Sequence, residues 1–530
     1  MIPPGAAVMW RRRLAAHPGD DEAALRYASM ALASGDGDAT AIWLGASAAI
    51  RPSSPFLFAP MRALAHAYLS AGRPDLAKRT LRRAMVALPV DWEAWNDLGV
   101  LSDRLSDEGS AGRAFRAAIV LAPGAETALS NLADLLFRAG AYATAGQFAR
   151  HAAGNPEALL TAGNSALRSG QPVVAARCFR RSLALAPHMP PSLVGRGVAA
   201  MADDDVATAG AWLKRAQSLD PNDVSLNNNL ATWHLVQGDY PRGFAFYEWR
   251  WRRPEAQARR GGLPEWSGTP IAGRRILLYA EQGLGDVLQM VRYVPMLSRL
   301  GASVVIECPP FLHRLLESLP GSPRLVPAGE AAEADLQAPL MSLPRLLGTT
   351  VATIPADGPY LFPEAELIAA TAAHLANPGR RIGLVWQGNP RQVDEPHRSI
   401  PLDLLAPLVA LPGATVYGLQ RDHGREQMEG FRGRDRLVDL GPKLDDLATT
   451  AAILAQLDLV ITTCTAVAHL AGALGRPVWI MLKRGADWRW MLDRPDSPWY
   501  PTARLIRQRR PGDWQEVAER VTKMTRAWIG

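Results

Sequence analysis

The sequence predicts an α plus α/β chain, with an all-helical repeat array in front of two parallel-sheet units. Three observations predict it. Seven prolines, Pro18, Pro52, Pro89, Pro123, Pro156, Pro187 and Pro221, recur at intervals of 34, 37, 34, 33, 31 and 34 residues. From residue 275 onward the pattern changes to short apolar runs rich in Val, Ile and Leu, separated by helix-sized segments. The chain, at 530 residues, is also about three and a half times the length of an average domain, which calls for two or three cores.

Composition narrows the function classes. Hydrophobic residues make up 48% and charged residues 21%, which excludes a disordered chain. The balance of 58 Lys and Arg against 51 Asp and Glu gives a mild +7, and only five of the basic residues are lysines. That charge suits an anionic ligand but not a nucleic-acid partner, which calls for a dense basic stripe. Cys178, Cys308 and Cys464 are too scattered for a zinc knuckle or a disulfide framework, so a reducing cytoplasm is expected. Neither a signal-peptide core nor a run of 18 apolar residues is seen, so no membrane span is expected.

The segments TLRRAMVALP, AFRAAIVLAP, CFRRSLALAP and WLKRAQSLDP end at Pro89, Pro123, Pro187 and Pro221 and match one another. In each, apolar residues recur every three or four positions with Arg or Lys on the other face, and proline ends the helix. DWEAWNDLGVLSDRL (91–105) and NDVSLNNNLATWHLVQG (222–238) read as partner helices with Asp91 or Asn222 as N-cap. A helix–turn–helix unit of about 34 residues resembles the tetratricopeptide repeat, over roughly residues 10–250. Stacked repeats form a groove suited to peptides. Asp97, Asn131 and Asn229, each eight residues after a repeat proline, either form a polar ladder for an acceptor peptide or belong to ordinary solvated faces. The aromatic, arginine-rich segment around 240–260 reads as a helix sealing the array.

Strands are expected at 275–280, 302–308, 381–386, 414–420, 458–463 and 477–482. The resulting boundaries are 1–255 for the repeats, 256–370 for the first α/β unit and 371–530 for the second. Three site candidates lie at carboxyl ends of strands, where open α/β sheets bind ligands. The first is Glu281-Gln282-Gly283-Leu284-Gly285-Asp286, in which Asp286 is a functional acid or simply an N-cap. The second runs from Thr462 to Ala473, with Cys464, Thr465 and Ala466 at a helix start and His469 one turn inside, a ligand-side or a core histidine. The third spans Gln387, Gly388 and Asn389 and continues to Arg398, which either grips a diphosphate or is surface charge.

EQGLGDVLQMVRYVPML, GLVWQGNP followed by HRSIPL, TAVAHLAGALGRPVW and DWRWMLDRPDSPWYP occur in this order and together resemble the bacterial tetratricopeptide-repeat proteins related to the lipopolysaccharide heptosyltransferases, over about 240–527. The resemblance implies a GT-B fold of two Rossmann-like domains, with the acceptor in the first and the nucleotide-sugar in the second. It further implies inverting transfer with no metal and no cofactor beyond the donor. Asp286 matches the family's catalytic aspartate, and Arg398 its phosphate-binding residue. Gly283, Gly285, Gln387, Asn389, Cys464, Thr465, Ala466 and His469 complete the expected nucleotide-sugar site. Cys464 departs from the pattern, since relatives usually carry Asp there, and a thiol cannot hold sugar hydroxyls as a carboxylate does. A repeat groove ahead of a GT-B unit is similar to protein glycosyltransferases, including those that modify flagellin. Transfer to Ser or Thr of a bound protein is therefore the first expectation. Lipopolysaccharide or capsule synthesis, or a scaffold with a degenerate transferase domain, are the alternatives.

Overall fold

The computed structural model describes residues 6–17, 20, 23, 26, 27, 30, 58–253, 262–330, 332–390 and 395–530. Pro18, Pro52 and the expected boundary at 255 lie outside the described residues. Packing divides the chain into two units, Met1–Gly195 and Arg196–Gly530.

In the first unit, helices Phe58–Ser70 and Pro74–Ala87, Trp92–Arg104 and Glu108–Leu121, Glu126–Arg138 and Tyr142–His151, and Pro156–Arg168 and Pro172–Leu185 form successive pairs. Asp91, Asp107 and Asn155 cap three of them, each accepting a backbone N–H three residues on at 2.9–3.0 Å. A small residue on each first helix faces a partner sixteen residues later on the second helix. Gly99 lies under Phe115 and Gly163 under Phe179, while Ala65 shares a core with Leu81 and Ala133 with Ala149. A Cβ on Gly99 or Gly163 would come within 2.4 or 2.5 Å of the phenyl ring, so the helix pair closes only over glycine. First helices of adjacent repeats also pack on one another, as Glu126–Arg138 does on Pro156–Arg168, while second helices stand further apart.

These contacts correct the proline register at one point. Pro156 opens a helix instead of ending one, a position where its missing N–H has no partner to lose. The contact series 65, 99, 133, 163 therefore steps by 34, 34 and 30, because the helix Tyr142–His151 has ten residues where the other second helices of this unit have fourteen.

The second unit opens with helices Val206–Leu219, Val224–Val236 and Tyr240–Tyr247 and a 3-10 turn, Glu248–Arg252. Asp223, not Asn222, caps the second of these. Tyr240 and Phe244, in the segment expected only to seal the repeats, pack edge-on against Trp488, and the Tyr240 hydroxyl accepts from Trp499 Nε1 at 2.9 Å.

Two wholly parallel sheets follow. The first holds β1 (Arg275–Tyr279), β2 (Ser303–Cys308), β3 (Arg324–Pro327) and β4 (Leu336–Pro339) in the order β3-β2-β1-β4. The second holds β5 (Arg380–Val385), β6 (Ala414–Gly418), β7 (Leu437–Asp439), β8 (Leu459–Thr463), β9 (Val478–Leu482) and β10 (Ala503–Arg507) in the order β10-β9-β8-β5-β6-β7. Counted from its own first strand, the second sheet runs 3-2-1-4-5-6, the Rossmann order, and the first runs 3-2-1-4. Alternate residues serve opposite faces: Val478, Ile480 and Leu482 enter the core that also takes Ile276 and Leu278 of β1, while Trp479 and Met481 pack with the C-terminal helix Trp514–Ile529. Tyr360 N–H donates to Ala473 O, and Thr371 meets Gln456, so the chain has joined the second sheet's helices before residue 370.

Gly163→Ala tests the repeat contact, because two effects compete there. Alanine gains about 1 kcal/mol in helix propensity, whereas the new methyl presses on Phe179, an overpacking cost of about 1–3 kcal/mol. Net destabilisation is expected in chemical denaturation, relieved when Phe179→Leu is added. Stabilisation by Gly163→Ala alone would mean that the Phe179 ring does not press on this position.

Candidate functional site

In each sheet the order reverses beside its first strand, between β1 and β4 and between β5 and β8, and chain segments leaving these strands carry the motifs. Glu281–Asp286 follows β1, Gln387–Asn389 follows β5, and Cys464–Thr465 follows β8. The helix Leu284–Met290 behind the first loop packs against Ala466–Ala473 behind the third. They meet at Gly285, where a Cβ would stand 2.7 Å from His469 Cδ2, so only glycine permits this approach.

Asp286 sits in the first turn of its helix. Its Oδ2 accepts the Gly283 N–H at 2.9 Å, the capping role, and its Oδ1 accepts from Arg489 Nη2. Arg489 is held on three sides: Nη1 donates to both Asp487 oxygens at 2.8 and 3.0 Å, and Nε donates to Gln289 Oε1 at 2.7 Å. Burial raises the Asp286 carboxyl above its ordinary value, with Arg489 pulling the other way. At Asp487 burial also pushes upward, but Arg489 outweighs it and the group lies below the usual range.

His469 is nearly buried, with Nδ1 2.9 Å from the Tyr500 hydroxyl and its ring stacked on Trp490 at 5.4 Å. Burial, then the Arg489 charge, pushes the imidazole down to about 3, so it is neutral at physiological pH. Trp490 Nε1 donates to Cys464 Sγ at 3.1 Å, and burial raises the thiol's pKa. Arg398 stands close enough for its charge to act on both Cys464 and His469. Thr465 is the N-cap of its helix, yet its hydroxyl turns to Thr462 Oγ1 at 3.0 Å and does not itself cap the first turn. Ala466 begins that helix. Gln387 is held by neighbours: its backbone pairs with the Gln420 amide at 3.1 and 2.9 Å, and its Oε1 accepts from Gln427 at 2.8 Å. Asn389 is exposed.

The structure thus brings Asp286, Gly283, Gly285, Cys464, Thr465, His469 and Arg398 into one neighbourhood. It adds Asp487, Arg489, Trp490 and Gln289, which sequence reasoning missed; the first three lie within DWRWMLDRPDSPWYP, whose alternation of charged and aromatic residues was the available signal. The aromatic segment adds a wall: the Tyr247 hydroxyl meets the Gln282 amide at 2.8 and 2.9 Å, and Arg250 grips Glu281 with two bonds of 3.1 and 2.8 Å. The polar ladder residues all have intramolecular partners. Asp97 accepts from Arg62 at 2.7 Å and meets His66, Asn131 donates to Asn96, and Asn229 donates to Ser225 O within its own helix.

Comparison with known proteins finds the following similarities. The tetratricopeptide-repeat family model matches residues 62–126 and 160–224. Protein FlbA of Caulobacter vibrioides is 26% identical over 487 residues, covering 84% of this chain and 80% of FlbA. Among solved structures, a glycosyl transferase family 9 protein from Veillonella parvula covers 49% of this chain and 92% of its own, at 12% identity and a TM-score of 0.38. PilF of Pseudomonas aeruginosa covers 40% and 96%, at 18% identity and a TM-score of 0.34. The chain thus carries tetratricopeptide repeats ahead of two parallel α/β sheets, the second in the Rossmann order.

Two outcomes test the geometry. An unfolded chain protonates His469 below about pH 6.5, while the folded chain resists until about 3. The fold therefore loses stability as pH falls through this window, by about 2–3 kcal/mol at two units below the unfolded value. His469→Asn, which can still meet Tyr500, should show a shallower loss than wild type in denaturation between pH 6.5 and 4.5; equal slopes would mean the imidazole is not held neutral. Gly285→Ala should destabilise by about 1–3 kcal/mol, with part of the loss recovered when His469→Ala is added.

Proposed function

We propose that the protein transfers a sugar, with inversion, from a nucleotide-sugar to a Ser or Thr hydroxyl of a protein acceptor held by its repeats, flagellin being the first acceptor to test. The observation that carries this reading is the meeting of the Asp286 loop and the Thr465 helix start at the two switch points, with Gly285 seated on His469. On this reading Asp286 is the base and the Thr465 helix start the anion site.

The chemistry needs both. A hydroxyl is a weak nucleophile near neutral pH and must lose its proton as the new bond to the sugar forms, while the departing nucleotide phosphate gains charge. Asp286 takes the proton on a lone pair left free by Gly283 and Arg489, and Arg489 favours its ionised form against burial. Arg398 and the first-turn amides after Thr465 are the groups assigned to the leaving phosphate. Cys464, which accepts from Trp490, stands where the resemblance leads one to expect an acid, and on this reading it bears on donor choice.

Asp286→Asn keeps the cap but loses the base. Intact-mass measurement of flagellin incubated with a nucleotide-sugar panel should show turnover lowered about a hundredfold or more, with donor affinity little changed. Arg398→Ala should instead weaken nucleotide binding by about 1–3 kcal/mol. Since the Asp286 carboxyl is raised by burial, turnover should fall on acidification at a pH above the ordinary carboxylate value. Near-normal turnover in Asp286→Asn would leave Asp286 as a helix cap alone. A mass gain on glycan and none on protein would move the acceptor to lipopolysaccharide or capsule.

A further inference from the structure

The mild net charge conceals a segregation that appears only once the repeat register is known. On the first helices of the first unit, 58–70, 92–104, 126–138 and 156–168, four basic residues stand with six acidic ones. The second helices, 74–87, 108–121, 142–151 and 172–185, carry ten basic residues against Asp75 and Glu108 alone.

The fold itself aligns these charges. Leu81, Phe115, Ala149 and Phe179 are the inward partners of the small residues on the first helices, and all are buried. The next residue in each case is an exposed arginine: Arg82, Arg116, Arg150 and Arg180. Three positions earlier stand Arg79, Arg113, Gln147 and Arg177, on the same helical face and also exposed. None of these seven arginines has a carboxylate partner among the salt bridges of the described residues, in contrast to Arg62 and Arg138 on the first helices, which pair with Asp97 and Asp103.

We infer that this face of the repeats docks on an anionic lipid surface, with the two arginine rows meeting lipid phosphates. Charge complementarity supplies the attraction, since a guanidinium fork matches phosphate geometry and each basic residue near an anionic bilayer adds to binding. Apolar side chains beside the rows favour lipid over an acidic polypeptide. Val86 and Val120 lie one turn beyond Arg82 and Arg116 and are 58% and 79% exposed, and Val173 and Leu185 flank Arg177 and Arg180. The first helices from 92 to 168 pack on one another while the second helices do not, so the arginines stand on the more open face, which offers a plane of phosphates contact but no cradle for an extended peptide. Phe115 and Phe179 point inward and offer bases no stacking platform. This inference is independent of the glycosyl-transfer reading.

The full-length protein, mixed with vesicles of phosphatidylcholine alone or of phosphatidylcholine and phosphatidylglycerol in equal amounts, tests it by co-sedimentation. Binding is expected only to the anionic vesicles, weakening as salt is raised. The variant carrying Arg82→Gln, Arg116→Gln, Arg150→Gln and Arg180→Gln should bind on the order of a hundredfold or more weaker. A control removing the same charge elsewhere, with Arg299→Gln, Arg324→Gln, Arg421→Gln and Arg510→Gln, should keep its binding, and circular dichroism checks that both variants are folded. Failure of the wild type to sediment with anionic vesicles, equal binding by the row variant, or equal loss in the control would each overturn the proposal. Capture on immobilised polyglutamate without vesicle binding would overturn it in favour of an acidic polypeptide.

Discussion

Everything in the second unit that bears on chemistry depends on where one guanidinium is held. Arg489 has a side chain only 8% exposed and is satisfied by Asp286, Asp487 and Gln289. Asp286 and Gln289 belong to the helix after β1, while Asp487 and Arg489 follow β9 of the other sheet. Removing the guanidinium would leave the Asp286 carboxylate, whose side chain is 20% exposed, without its cation, and breaking a buried pair in this way costs about 3–5 kcal/mol. The two sheets are thus joined by a contact that also aims the Asp286 carboxylate, so positioning and cohesion are one interaction.

Two further buried cations extend the same logic. Arg292, entirely enclosed, donates to Trp499 O at 2.6 Å and to the Tyr360 hydroxyl at 3.0 Å, and lies over the rings of Tyr360, Trp499 and Tyr500. No carboxylate is among its hydrogen-bond partners; aromatic faces and carbonyls take the charge instead. Tyr500 in turn bonds His469, so the cation reaches the helix behind the site through one ring. Arg250 fixes Glu281 at the other end of the glycine loop. The loop is therefore clamped at both ends by arginine and carboxylate, and Gly285 stands too close to His469 for a side chain.

What could be read from the sequence follows physical range. The long apolar strands β1, β2, β5, β6, β8 and β9 were legible because burial on both faces writes a continuous Val, Ile and Leu run. β3, β4 and β7 have only four, four and three residues, too few for a pattern, and two of them end in proline. Asp286 was legible as a residue worth weighing, since its loop has local chemistry. Its partner was not, because an ion pair spanning 203 positions leaves no local trace. The ladder of Asp97, Asn131 and Asn229 was legible as a periodicity, but the hydrogen bonds that occupy those side chains come from residues such as Arg62 and Asn96, whose proximity is a product of stacking.

The short helix Tyr142–His151 has a consequence for how such an array can vary in length. It is four residues shorter than the other second helices of its unit, and four residues amount to slightly more than one helical turn, about 40° past a full circle. The chain therefore leaves the shortened helix at nearly the same azimuth as a full-length one would, and the next pair docks with Gly163 under Phe179 as Gly99 docks under Phe115. A loss of two residues would have turned the exit by about 200° and sent the following helix to the wrong side. Length in this solenoid is thus quantised: it changes by whole turns, and intermediate steps are barred by the geometry of the helix itself.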